Sequence, residues 1–179
     1  MMTILIGRFA DFTQALKTIP DLASIGVGRH DISTVAQDSK GEYAKFLRTE
    51  AAEANGEEDS HIGIGAALGG IGGLLLGLAA LSIPGIGPAI AAGPLAVALA
   101  GATIGTATGG LVGALNGLGV PEFEAKAYDE GIREGGTLLI ARMSDDLLSL
   151  ATEILREHHA LQIDQFPHQM RYEGEAALS

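Results

Sequence analysis

Residues 61–120 read HIGIGAALGGIGGLLLGLAALSIPGIGPAIAAGPLAVALAGATIGTATGGLVGALNGLGV, and between Ser60 and Pro121 there is no Asp, Glu, Lys or Arg. The fold turns on how this stretch is read. Two glycine ladders run through it. The first is Gly65, Gly69, Gly73 and Gly77; the second is Gly101, Gly105, Gly109, Gly113 and Gly117. A step of four residues places each ladder on one face of an α-helix. Glycine costs a helix about 1 kcal/mol per interior position relative to alanine. Helices so composed therefore need close packing along the glycine strips, where backbones approach and dispersion contacts multiply. Thr103, Thr106 and Thr108 add hydroxyls that bond back to the helix or across to a neighbour.

On this basis the sequence predicts a helical hairpin. Its arms are Ile62–Ile83, about 33 Å long, and Pro94–Leu118, about 37 Å long, at 1.5 Å per residue. The link between them carries Pro84, Gly85, Gly87, Pro88, Gly93 and Pro94, which break helices and turn the chain. A bilayer core is about 30 Å thick, so the arms have spanning dimensions. Against lipid stand the lack of an interfacial aromatic belt and the acidic near flank, Glu50, Glu53, Glu57, Glu58 and Asp59. The alternative occupant of the apolar faces is a sister subunit, because an uncovered patch of this size drives association.

The flanks resemble each other. Residues 3–9 read TILIGRF and residues 137–143 read TLLIARM, with Thr3/Thr137, Leu5/Leu139, Ile6/Ile140 and Arg8/Arg142 in matching places. Both suit buried strands. Helices follow, with Asp11 and Ser144 or Asp145 as N-cap candidates. The first holds Phe12, Ala15, Leu16 and Ile19 and is expected to end or restart at Pro20. The second holds Leu147, Leu148, Leu150, Ala151 and Ile154. Further strands are expected at Ile32–Gln37 and Leu161–Phe166. The predicted fold class is α+β: a ferredoxin-like, duplicated β-α-β domain with helices on one face, interrupted by the Gly/Ala-rich hairpin. Amphipathic helices are also expected at Glu42–Ala54 and Pro121–Glu134, the latter with the ion pairs Glu122/Lys126 and Asp129/Arg133. The chain divides into 1–60, 61–120, 121–166 and a tail, 167–179.

Composition narrows the function. A net charge of −11 leaves no basic surface for nucleic acid. Without cysteine there is no thiol or disulfide chemistry. The MMTILIGRFADF start is too short and too soon charged for a secretion signal, so a cytoplasmic location is the default. No G-x-x-x-x-G-K-S/T or complete G-x-G-x-x-G occurs. His30, His61, His158, His159 and His168 lack metal-ligand spacing. Asp145 and Asp146 fit a helix start better than a catalytic pair. Arg8 and Arg142 are candidates to face an anion, though strand alternation makes exposed or edge positions the simpler reading. No catalytic, cofactor-binding or metal site is expected.

The segments SIPGIGPAIAAGPL and GVPEFEAKAYDEGIREGGTLLIAR, with the glycine zipper between them, resemble a family of small bacterial general-stress or heat-induced stress proteins of unknown function. The resemblance covers about residues 3–166. It implies a ferredoxin-like half-repeat domain, an apolar glycine-rich hairpin and a link to stress, and it supplies no catalytic residues. The zippers are also similar to those of two-helix membrane proteins, which often carry signals or lipid anchors. The expected function is a non-enzymatic, membrane-associated homo-oligomer anchored through the hairpin. The alternative is a soluble ring, shell or filament whose hairpins bury one another.

Overall fold

The computed structural model describes residues 2–43, 79–83, 86–101 and 110–167. Its elements are β1 (Met2–Phe9), α1 (Phe12–Ser24), β2 (Ile32–Gln37), β3 (Ala79–Ile83), β4 (Gly87–Ala92), α2 (Pro94–Gly101), α3 (Leu111–Gly117), α4 (Glu122–Arg133), β5 (Thr137–Ser144), α5 (Leu148–Glu157) and β6 (Gln162–Pro167). The fold is α+β. The strands form one six-stranded sheet in the order β3-β4-β2-β5-β1-β6, with every neighbouring pair antiparallel.

The two similar flanks meet at the centre of this sheet. β1 pairs with β5 from Met2↔Ser144 to Phe9↔Thr137, and Ile6 lies opposite Ile140. Both strands are apolar without alternation because both faces are covered. Leu5, Phe9, Leu139, Ala141 and Met143 enter one core, with Phe12, Ala15, Leu16, Ile19 and Leu22 of α1 and Ala151 and Leu155 of α5. Ile4, Ile6, Leu138 and Ile140 enter the other. That second core is filled by Ala89 and Ala91 of β4, Leu95 and Leu99 of α2, Leu111 and Leu115 of α3, and Ala125, Tyr128 and Ile132 of α4. Helices therefore lie on both faces, not one.

The apolar stretch is where expectation and structure part. Ala79–Ile83, read as the end of a helix, is a strand, and the supposed inter-helix link is a β-hairpin. The turn closes with Ile86 N donating to Ile83 O at 3.1 Å, and the Gln37 side-chain amide donates to Ile86 O at 2.8 Å. Two causes favour strand. A residue before proline disfavours helical backbone, which acts on Ile83. Pairing with β2 also lets β4 alternate, Ile90 and Ala92 into one core, Ala89 and Ala91 into the other. Nor is Pro94–Leu118 one helix. Gly110, with φ 79° and ψ −151°, precedes α3 in a conformation no helix contains.

Smaller differences are local. α1 continues through Pro20 to Ser24. Asp11 caps it as expected, accepting from Gln14 N at 3.0 Å. Pro121 stands at the N-cap of α4 instead of inside it, and both expected ion pairs form, Glu122–Lys126 at 2.7 Å and Asp129–Arg133 at 2.6 Å. The expected helix Glu42–Ala54 falls mostly outside the described residues.

Gly93 joins the hairpin to α2. Its φ is +76°, and a Cβ there would lie 2.2 Å from Ile32 O. The same contact sets Ser33 Oγ to accept from Leu95 N at 3.2 Å, capping α2 from a neighbouring strand. At Gly7 an added Cβ would meet the Leu155 Cδ2 methyl at 2.6 Å, the end of a flexible side chain. Gly93→Ala is expected to cost at least about 3 kcal/mol, since strain and a backbone clash combine. Gly7→Ala should cost less than half as much, because Leu155 can turn aside. Urea unfolding of both variants checks the order, and equal losses would contradict the geometry.

Candidate functional site

The residues singled out in the sequence are dispersed. Gly101 ends α2, and Gly113 and Gly117 lie in α3. A Cβ at Gly117 would meet no described atom within 4 Å, so no close helix contact is made there by the described part of the chain. Gly65, Gly69, Gly73, Gly77, Gly105 and Gly109 lie outside the described residues, as do Pro84 and Gly85. Gly87 and Pro88 begin β4, Gly93 follows it, and Pro94 opens α2. No helix among the described residues is long and apolar enough to cross a membrane.

Two large apolar side chains on helices that fill the second core stand in solvent. Val97 of α2 is 74% exposed and Phe123 of α4 is 81% exposed. The Phe123 ring thus stands outward at the start of a helix whose other face is buried.

The two repeated arginines diverge. By strand alternation both point to the insertion side of the sheet, with Ile4, Ile6, Leu138 and Ile140. Arg142 is consumed by Asp31, whose Oδ1 accepts from Nε at 2.9 Å and from Nη2 at 2.5 Å. Arg8 is different. Among the described residues it forms no ion pair, and its Nε is shielded from solvent without a hydrogen-bond acceptor. It lies against α4 at Gly131, where a Cβ would stand 3.2 Å from Arg8 Cδ and 3.3 Å from Nη1.

Around Arg8 a polar seam joins α4 to the edge strand β6. In register Gln162 stands opposite Arg8 and Asp164 opposite Ile6, so both share its face. Tyr128 donates its hydroxyl proton to Asp164 Oδ2 at 2.5 Å, and Gln162 Nε2 donates to the same oxygen at 2.7 Å. Burial raises the Tyr128 pKa well above its ordinary 10.0, and the hydrogen bond to Asp164 and the charges of Asp164 and Glu124 raise it further, while Arg8 opposes them. Tyr128 is thus a proton donor held in its neutral form. The anion reading of Arg8 is the one sequence signal that led here; Tyr128, Gln162 and Asp164 carried none, because their meeting spans 36 residues of chain.

Two histidines pair with carboxylates. His158 Nε2 is 2.7 Å from Asp21 Oδ2, linking α5 to α1, and His30 Nε2 is 3.1 Å from Asp31 Oδ2. Among the described residues no three His, Asp or Glu side chains are grouped to hold a metal. Comparison with protein-family models, with curated proteins and with solved structures finds no match for this chain.

Two measurements probe the seam. Tyr128→Phe removes one of two donors to Asp164 and is expected to cost about 1–2 kcal/mol. A tyrosine whose pKa is raised by folding contributes its full stabilisation below the unfolded value, and that contribution is lost as pH rises above it. Wild-type stability should therefore fall as pH climbs beyond 10, and Tyr128→Phe should flatten that fall. Parallel slopes for the two proteins in alkaline urea titrations would contradict the assignment.

Proposed function

We propose that the protein is a non-enzymatic, self-associating protein in which the apolar insertion supplies the contact surface between copies. The carrying observation is the outward placement of Val97, in the charge-free stretch, and of Phe123, on the helix α4 that follows it. Exposed aromatics and aliphatics on a layer of this composition favour association with a second apolar surface. We read the frame as ferredoxin-like. The order β2-β5-β1-β6, and the opposition of Ile6 and Ile140, support a duplicated β-α-β pair with the insertion added beside β2. The family resemblance of the PGIGP and EGIREGG segments supports a stress-related role. The non-enzymatic reading is supported by Tyr128 and Asp164 being committed to each other in the hydrogen bond that joins α4 to β6.

A second reading is association with a bilayer, favoured by the absence of charge from Ser60 to Pro121. It does not take the form of the Ile62–Ile83 helix, whose last five residues are strand. A cytoplasmic location fits both readings.

One preparation of the full chain without detergent separates them. Light scattering after size exclusion should show a discrete oligomer. The double substitution Val97→Asp with Phe123→Asp should shift it to monomer while leaving the circular dichroism spectrum unchanged. A wild-type monomer, or a double variant of unaltered size, would sink the self-association reading. Flotation of the wild type with anionic liposomes, abolished by the same double substitution, would favour the bilayer.

A further inference from the structure

We propose that Arg8 is the seat of a binding site for a small monocarboxylate in the seam between α4 and β6. This goes beyond self-association and does not depend on it. The starting point is a guanidinium that the described protein leaves unanswered. Arginine carries five N–H donors in a fixed planar fork and stays charged at any physiological pH. A half-buried guanidinium with an unmatched Nε costs free energy unless an acceptor arrives. The contrast with Arg142 sharpens the point, since the repeated position on β5 has Asp31 as its carboxylate.

The seam has two carboxylates, and both are otherwise placed. Asp164 accepts from Tyr128 and Gln162 and forms no ion pair with Arg8. Glu124 acts on Tyr128 by its charge and stands one helical turn before it on α4. Gly131 is what lets the arginine lie against the helix, because any side chain there would press on Cδ and Nη1. The guanidinium lies against the helix backbone at Gly131, and Gln162, opposite Arg8 in register, has a second amide N–H to offer a planar anion.

Charge selects among anions. The guanidinium fork matches both carboxylate and phosphate. The negative charges of Asp164 and Glu124 act on the same space, and they penalise a dianion about twice as strongly as a monoanion. The site therefore suits a small monocarboxylate, bonded by Arg8 and assisted by Gln162. A four-atom ligand such as acetate is bounded in affinity, so a dissociation constant on the order of 1 mM is expected.

The experiment uses the full chain labelled with nitrogen-15, observed at the arginine Nε–Hε resonances and titrated with sodium acetate at constant ionic strength. Saturation of the Arg8 resonance below about 50 mM acetate is expected. Chloride should give no saturable change, and phosphate should bind at least about threefold more weakly. Arg8→Gln should abolish the saturation at neighbouring backbone amides. Gly131→Ala keeps the charge but displaces the guanidinium, and should weaken binding several-fold; it carries the test if Arg8→Gln does not fold. Absence of saturation in the wild type, unchanged affinity in Gly131→Ala, or tighter binding of phosphate than acetate would each overturn the proposal.

Discussion

A sheet that is apolar on both faces must be covered on both. This constraint organises the molecule. Ile4, Ile6, Val35, Leu138 and Ile140 all face away from α1 and α5. Burying such side chains is worth about 1.5–3 kcal/mol each. Five of them amount to on the order of 10 kcal/mol, comparable to the whole net stability of a typical domain. The β-α-β units alone would leave these residues in water. Ala89, Ala91, Leu95, Leu99, Leu111 and Leu115 of the charge-free stretch provide the cover, together with Ala125, Tyr128 and Ile132 of α4. The apolar character of these described segments is therefore first a requirement of the fold, while Val97 of α2 and Phe123 of α4 remain outward.

Polar contacts set where the covering layer sits. Ser33 caps α2 from β2, Gln37 holds the β3–β4 turn, and Tyr128 ties α4 to β6 through Asp164. Each contributes only about 1 kcal/mol net, so they direct geometry more than they stabilise. Gly93 and Gly131 act by absence: the first lets Ile32 O approach, the second lets Arg8 lie beneath α4. Structure and candidate function thus share residues. The seam that fastens the edge strand is also the place where, among the described residues, Arg8 Nε has no acceptor.

Much of this was legible in the chain itself. TILIGRF and TLLIARM read as strands because seven-residue apolar runs are too short for helices, and Asp11 read as a cap because its carboxylate has one turn of free N–H groups to meet. The failure at Ala79–Ile83 has a specific cause. Alanine and leucine prefer helix locally, and a four-residue glycine step suggests a helical face. Neither signal registers that β2 offered an open edge, or that Pro84 acts backwards on Ile83. At Gly110 the ladder's regularity concealed a residue that only a left-handed φ could satisfy. For the seam, Arg8 was visible as a strand arginine, but Tyr128 and Asp164 looked like ordinary helix and edge residues.

By itself, the sequence determined which segments are apolar, where the caps and breaks fall, and that the two flanks would form matching strands. Those are local properties, set by the residues and their neighbours a few positions away. Only the tertiary structure decided that the apolar insertion would add strands to the sheet, and that Arg142 would find Asp31 while Arg8 would not. The physical reason is that pairing energy and burial depend on which surface is left uncovered once the rest of the chain has folded.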